Sequence, residues 1–336
     1  MTATNRQIQL ASRPIGTVKP DNWAHVTASA AAPGDGEFAG RTRVISLDPA
    51  MRGWLDDRPS YIPPVGLNEV MRALAGGEVV ASNHPGFAVG EHVTGVFGVQ
   101  EYAVSDGRGL QKVDPAAVPM TTYLSALGMT GMTAYFGLFD VGALKDGETV
   151  LVSGAAGAVG SMAGQIAKLM GAARVIGSAG SDEKTSLLVN EFGFDAAINY
   201  RTGPITEQLR QAAPDGIDVY FDNVGGDHLE AAIDSFNSHG RVVLCGMSAQ
   251  YNDTAAATAP RNLLLAINKR LRLEGMIVTD HHDLREQFVR EAVSWIREDK
   301  LRYRETVAAG LAHGVDAFLG MLRGENTGKM VVRLDA

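Results

Sequence analysis

The sequence predicts an α/β chain in which a doubly wound parallel sheet is accompanied by a second, mostly β domain. Three observations lead there. From about Leu127 onward, short apolar runs alternate with stretches of helical spacing, the pattern of right-handed βαβ units. Before that point, short β-prone runs are punctuated by Gly and Pro turns. A glycine series, Gly154, Gly157 and Gly160, directly follows a strand-like run and opens a helix-like one. At 336 residues the chain is long enough for two packed cores.

The elements follow in order. In the first part the β-prone runs are Arg43 to Leu47, Glu78 to Ala81 and His92 to Phe97, bounded by Asp48-Pro49, Pro63-Pro64 and His84-Pro85-Gly86. In the second, Thr149 to Val152 reads as a short buried strand and Val159 to Met170 as a helix. Arg174 to Ile176 is the next strand and Asp182 to Phe192 the next helix. Ala196 to Ile198, Asp218 to Phe221 and Arg241 to Leu244 continue the strands. Asp283 to Asp299 reads as a long helix. The C-terminal end returns to strand, helix and strand: Glu305 to Ala308, Val315 to Leu322 and Met330 to Arg333.

Composition narrows the function classes. The net charge of −8 argues against non-specific nucleic-acid binding. Cys245 is the only cysteine, so neither an intramolecular disulfide nor a cysteine-rich metal site is expected. The N-terminal residues lack a basic patch followed by an apolar stretch, and no run of about 18 apolar residues occurs. A cytoplasmic location follows by default.

The glycine series carries the chemistry. Glycines let a strand–helix turn tighten and let the backbone approach a pyrophosphate. The helix N-terminus then offers unpaired N–H groups and partial positive charge. An NAD site places Asp or Glu about 20 residues on, at the end of the next strand. Here that strand ends in Ile176-Gly177-Ser178, without an acid. Gly177 is expected to leave room for a 2′-phosphate and Lys184 to supply charge, which favours NADPH. The alternative for Lys184 is a solvated lysine on a helix.

At this point the chain resembles the medium-chain dehydrogenase/reductase superfamily. It is similar to that superfamily's zinc-free double-bond reductases: prostaglandin/leukotriene, plant alkenal and bacterial curcumin-type reductases. The carriers include Asp48-Pro49-Ala50-Met51-Arg52, Gly128 to Tyr135, Gly157 to Ser161 and Ala179 to Lys184. Asn199-Tyr200, Tyr220 to Gly226, Cys245 to Asn252 and Gly324 to Lys329 complete them, so the resemblance spans nearly the whole chain. It implies a GroES-like substrate domain over residues 1–127 and 297–336, and a Rossmann NADPH-binding domain over 128–296. It also implies a homodimer and individual roles. Gly157, Ala158, Val159 and Gly160 would hold the pyrophosphate, and Lys184 and Tyr200 the adenosine end with its 2′-phosphate. Asn223, Cys245, Gly246, Met247 and Ser248 would line the cofactor. Met276, Ile277, Val278 and Asn326 would close around the nicotinamide half, and Tyr251 would stand beside substrate and nicotinamide. Two positions depart from the family pattern: Ala50 stands where tyrosine is usual, and Thr130 where proline is usual.

The zinc enzymes of the superfamily use Cys and His ligands that have no counterpart here. Gly76-Gly77-Glu78 lacks the histidine, and the His281-His282-Asp283 run supplies no ligand cluster, so no metal is expected. Without a metal to polarise an alcohol, the less demanding reaction is reduction of an activated alkene. Hydride goes to the β-carbon of an enone or enal, the enolate oxygen takes a hydrogen bond, and the α-carbon takes a proton. Tyr251 is the candidate donor; the alternative is a tyrosine that only packs on the cofactor. Tyr61 is a candidate substrate residue at the pocket edge, a partial replacement for the tyrosine missing at position 50; the equal alternative is a tyrosine that only packs against Pro63 and Pro64. Met129 and Met132 are candidates for an adaptable apolar wall, although core filling is the commoner role of methionine. The rival readings are an NADPH:quinone reductase and a cofactor-binding protein with little turnover.

Overall fold

The computed structural model describes residues 3–255 and 258–334, with His282 described by its backbone alone. In chain order the strands and helices begin with β1 (Thr4–Leu10), β2 (Trp23–Ser29), β3 (Phe38–Leu47), β4 (Leu74–Ser82), β5 (His92–Val96), β6 (Tyr102–Ser105) and β7 (Gln111–Val113). There follow α1 (Met120–Leu124), α2 (Met129–Phe136), β8 (Thr149–Val152), α3 (Ala158–Leu169), β9 (Arg174–Ala179), α4 (Asp182–Asn190), β10 (Ala196–Asn199) and α5 (Ile205–Ala212). Then come β11 (Ile217–Asp222), α6 (Gly226–Ser235), β12 (Phe236–Leu244), α7 (Leu264–Lys269), β13 (Arg272–Gly275) and α8 (Arg285–Arg297). The chain closes with β14 (Glu305–Ala309), α9 (Gly314–Leu322) and β15 (Lys329–Arg333).

The chain divides into two compact units, residues 1–124 with 305–336, and residues 125–304. In the first, a sheet of order β14-β15-β3-β4-β5-β7, with β6 also paired to β3, is antiparallel apart from the β14–β15 pair. The C-terminal strand thus completes a sheet that the N-terminal half begins. Phe38, Ile45, Leu47 and Val93 form its core with Phe318 of α9, which meets Trp23 edge-on at 5.8 Å.

In the second unit the sheet runs β10-β9-β8-β11-β12-β13, and every pairing is parallel. Helices cover both faces, so the strands are apolar at consecutive positions instead of alternating. Successive side chains point to opposite faces. Val150, Val152, Val219 and Phe221 face a core shared with Met162, Ala163 and Ile166 of α3. Leu151, Ile176, Tyr220 and Val242 face another, shared with Leu209 of α5 and Ile233 of α6. The chain winds outward from β8 to β10, then returns to β11 beside β8 and winds the other way. The crevice beyond the carboxyl ends of β8 and β11 is therefore the topological switch point, where such sheets bind ligands.

Candidate functional site

The glycine turn sits at that switch point. Gly154 has φ +58°, a left-handed conformation that favours glycine. A Cβ on Gly160 would lie 2.4 Å from the Gly154 carbonyl oxygen, so the first turn of α3 presses directly on the strand–helix turn. Gly157 is the N-cap of α3 and supplies no side-chain cap to the first-turn amides. Gly157, Ala158 and Val159 keep partly accessible surface, while Gly160 is buried. The result is a helix N-terminus offering N–H groups to an anion.

The end of β9 corrects one expectation. Gly177 does not open space for a phosphate. It is buried, and a Cβ there would come within 2.8 Å of Ala155 and of Leu188 and 2.9 Å of Phe194. Its missing side chain lets the glycine turn and α4 pack onto the strand. The polar groups gather three residues on, around Gly180, whose missing side chain lets them approach: a Cβ there would be 2.6 Å from the Tyr200 hydroxyl and 3.2 Å from Nε of Arg201. Ser181 caps α4, its hydroxyl accepting from the Lys184 N–H at 3.3 Å. Burial, and then the nearby Arg201 charge, lower the Lys184 pKa. Two cations thus stand together at the end of β9 with no acid on the strand itself. Arg201 was not among the sequence-predicted residues; its signal was a basic residue directly after Tyr200. Tyr200 is exposed, and its ring meets the buried His228 imidazole edge-on at 5.1 Å. Burial lowers the His228 pKa to about 4, so the ring is neutral.

The remaining cofactor candidates of this unit follow β11, β12 and β13. Asn223 donates its side-chain amide to the Ser153 carbonyl at 2.8 Å, across the switch point. The Cys245 and Gly246 amides both donate to the Asp222 carbonyl at 2.9 Å, and Ser248 N–H donates to the Asn223 carbonyl at 3.2 Å. These bonds fold the segment from Cys245 through Met247 and Ser248 onto the loop after β11. Burial, and then the Asp222 charge, push the Cys245 thiol up to about 12. Tyr251 follows the short helical turn Ser248–Gln250 and points its hydroxyl at Gly246, 3.1 Å from where a Cβ would stand. Met276 is buried against Gly137, while Ile277 and Val278 keep partial exposure.

Four candidates lie elsewhere. Met129, at the start of α2, is partly exposed; Met132, one turn on, is buried among core side chains. Tyr61 and Asn326 belong to the first unit. Tyr61 is exposed, and its hydroxyl accepts from the Trp54 indole N–H at 3.0 Å. Asn326 donates to the Gly328 carbonyl at 2.8 Å. Among the described residues, no group of three or more His, Cys, Asp or Glu side chains is placed to hold a metal ion. Glu78 pairs with Arg43 at 2.8 Å, and His281 with Asp140 at 2.8 Å.

A glycine turn at the switch point of a doubly wound sheet, with cations where a nucleotide's ribose would lie, defines a dinucleotide-binding oxidoreductase. Residues 6–113 match the N-terminal domain of oxidoreductase family, and residues 158–294 the family described as zinc-binding dehydrogenase. The NADPH-dependent curcumin reductase of Escherichia coli (strain K12) is 41% identical over 98% of this chain and 97% of its own. The NADP(+)-dependent 2-alkenal reductase of Nicotiana tabacum is 37% identical over 98% and 97%. The crystal structure of CurA in complex with NADPH from Vibrio vulnificus superposes with a TM-score of 0.94 at 41% identity, covering 98% of this chain and 99% of that one. The chain belongs to the zinc-free double-bond reductases of the medium-chain dehydrogenase/reductase family.

Proposed function

We propose that the protein uses NADPH to reduce the carbon–carbon double bond of α,β-unsaturated ketones and aldehydes. The observation that carries the cofactor half is the grouping of Lys184, Tyr200 and Arg201 around Gly180, beside a strand that ends without an acid. That arrangement suits a 2′-phosphate, and the strand end lacks the acid that a 2′-hydroxyl usually binds. The substrate half is supported by the curcumin and 2-alkenal reductases to which the chain is similar.

The residues fit this cofactor. The position of Gly160 has no room for a side chain, and the first amides of α3 have no side-chain cap. Gly157 to Gly160 would bind the pyrophosphate, and Asn223 with Cys245 to Ser248 and Met276 to Val278 would line the cofactor. Asn326 and Tyr61 are assigned to the nicotinamide end and the substrate, and residues 1–127 with 297–336 to the substrate domain. NADPH, when bound, supplies hydride to the β-carbon. The Tyr251 hydroxyl donates a hydrogen bond to the carbonyl oxygen, where negative charge develops. Tyr251 or water then delivers a proton to the α-carbon.

The chain is further assigned as a cytoplasmic homodimer. Leu264 and Ile267 of α7 are 69% and 72% exposed. β13 ends its sheet, with one edge unpaired among the described residues. Antiparallel pairing of two β13 strands centred on Leu273 would set Arg272 against Glu274 of the second copy, a self-complementary edge. No described helix is long and apolar enough to cross a membrane.

The test is NADPH oxidation against a panel of enones, enals and quinones. Enone and enal turnover with little quinone turnover is expected. Turnover of quinones alone would make it a quinone reductase, and binding without turnover on any member would end the enzyme reading.

A further inference from the structure

Ser153 directly follows β8 and Asp222 ends β11, so the two residues meet across the switch point. Asp222 is fully buried. Its Oδ1 accepts from the Tyr220 hydroxyl at 2.6 Å, the Ser153 hydroxyl at 3.1 Å, and the N–H groups of Val224 and Gly225 at 2.9 and 2.8 Å. Its Oδ2, also buried, has no hydrogen-bond partner among the described residues. The Ser153 hydroxyl accepts in turn from the Asn223 N–H at 2.9 Å. The loop so held receives the next turn, because the N–H groups of Ser248 and Ala249 donate to the carbonyls of Asn223 and Val224 at 3.2 and 3.0 Å. That turn leads into Tyr251.

A carboxylate kept for its charge is normally satisfied at both oxygens or paired with a cation. Asp222 has neither arrangement. We propose that Asp222 is a positioning residue that works through Oδ1 alone, setting the loop Asn223–Gly226 and, through it, the turn that carries Tyr251. A proton or an amide at Oδ2 leaves all the Oδ1 bonds in place, so the device does not depend on negative charge. Burial raises the carboxyl pKa, in keeping with that. The inference rests on the NADPH reading above.

The experiment compares Asp222→Asn and Asp222→Ala in the full chain, with thermal melts to establish folding. NADPH dissociation constants come from fluorescence titration, and kcat and KM from an enone assay. The Asn variant is expected to stay within about threefold of wild type in both. The Ala variant, which strands buried donors, is expected to weaken NADPH binding at least about tenfold and to lower kcat. An Ala variant that folds with wild-type affinity and kcat overturns the positioning role. An Asn variant as impaired as Ala overturns the charge-independence. If the Ala variant does not fold, Tyr220→Phe and Ser153→Ala each remove one Oδ1 donor at near-constant volume. Each is expected to weaken NADPH binding about two- to fivefold, and wild-type values for both overturn the proposal. Wild-type protein that fails to bind NADPH removes the functional reading and this inference together. Wild-type binding with unaffected variants removes this inference alone.

Discussion

The Tyr251 hydroxyl is held beside Gly246, where a side chain would crowd it. In the proposed role of donor, a hydroxyl so placed would act on developing charge with little reorganisation. Tyr251→Phe should lower kcat by roughly 10²-fold while leaving the NADPH dissociation constant nearly unchanged; unchanged turnover in steady-state kinetics would remove Tyr251 from the chemistry. At the other end of the site, Arg201→Ala should weaken NADPH binding about tenfold and NADH binding hardly at all, as titration of both cofactors would read. At this scale the sequence was legible where residues stand in an ordered pattern, as in the glycine series. It was less legible where the deciding fact is spatial. Arg201 shows in the sequence only as a basic neighbour of Tyr200, and it takes the fold to bring it to Lys184 and Gly180. Gly177 looks like open space in a sequence, although neighbouring side chains fill that space in the fold.

The alternation of strand and helix was the clearest signal at the scale of elements. The strand Thr149–Val152 and the helices near 158–169, 182–190 and 285–297 all stand close to where periodicity puts them. Buried parallel strands announce themselves as continuous apolar runs. Harder to read were β1, β2, α5, α6 and α7. β1 and β2 pair chiefly with one another, β1 alternates irregularly and holds few apolar residues, the apolar side of β2 is made mostly of small residues, and α6 follows a glycine pair that looks like loop. The β8–turn–α3 unit carries its own prediction. Gly160→Ala inserts a methyl 2.4 Å from a backbone carbonyl in a turn with little freedom to move. It should cost about 1–3 kcal/mol in a denaturant titration. It should also weaken NADPH binding beyond what the stability loss explains.

For the whole molecule, the exposed apolar residues of α7 and the edge of β13, unpaired among the described residues, are neighbouring features that a second copy could use. Ile267→Glu should shift a dimer toward monomer in sedimentation velocity, and a wild-type protein that is already monomeric would refute that assignment. Assembly of this kind is expected from the resemblance alone, because composition does not say which apolar residues remain exposed.

Cys245 gives the fold a form of self-protection. Enones and enals are Michael acceptors, and they alkylate thiolates far faster than thiols. With its pKa pushed up by burial and by the Asp222 charge, the thiol stays protonated at neutral pH. The lone cysteine, partly exposed in the turn proposed to line the cofactor, is thereby a poor nucleophile toward the very compounds proposed to be reduced there. Mass spectrometry after exposure to a reactive enal should find Cys245 unmodified in the native protein and modified once it is unfolded; rapid native adduct formation would show that this shielding fails.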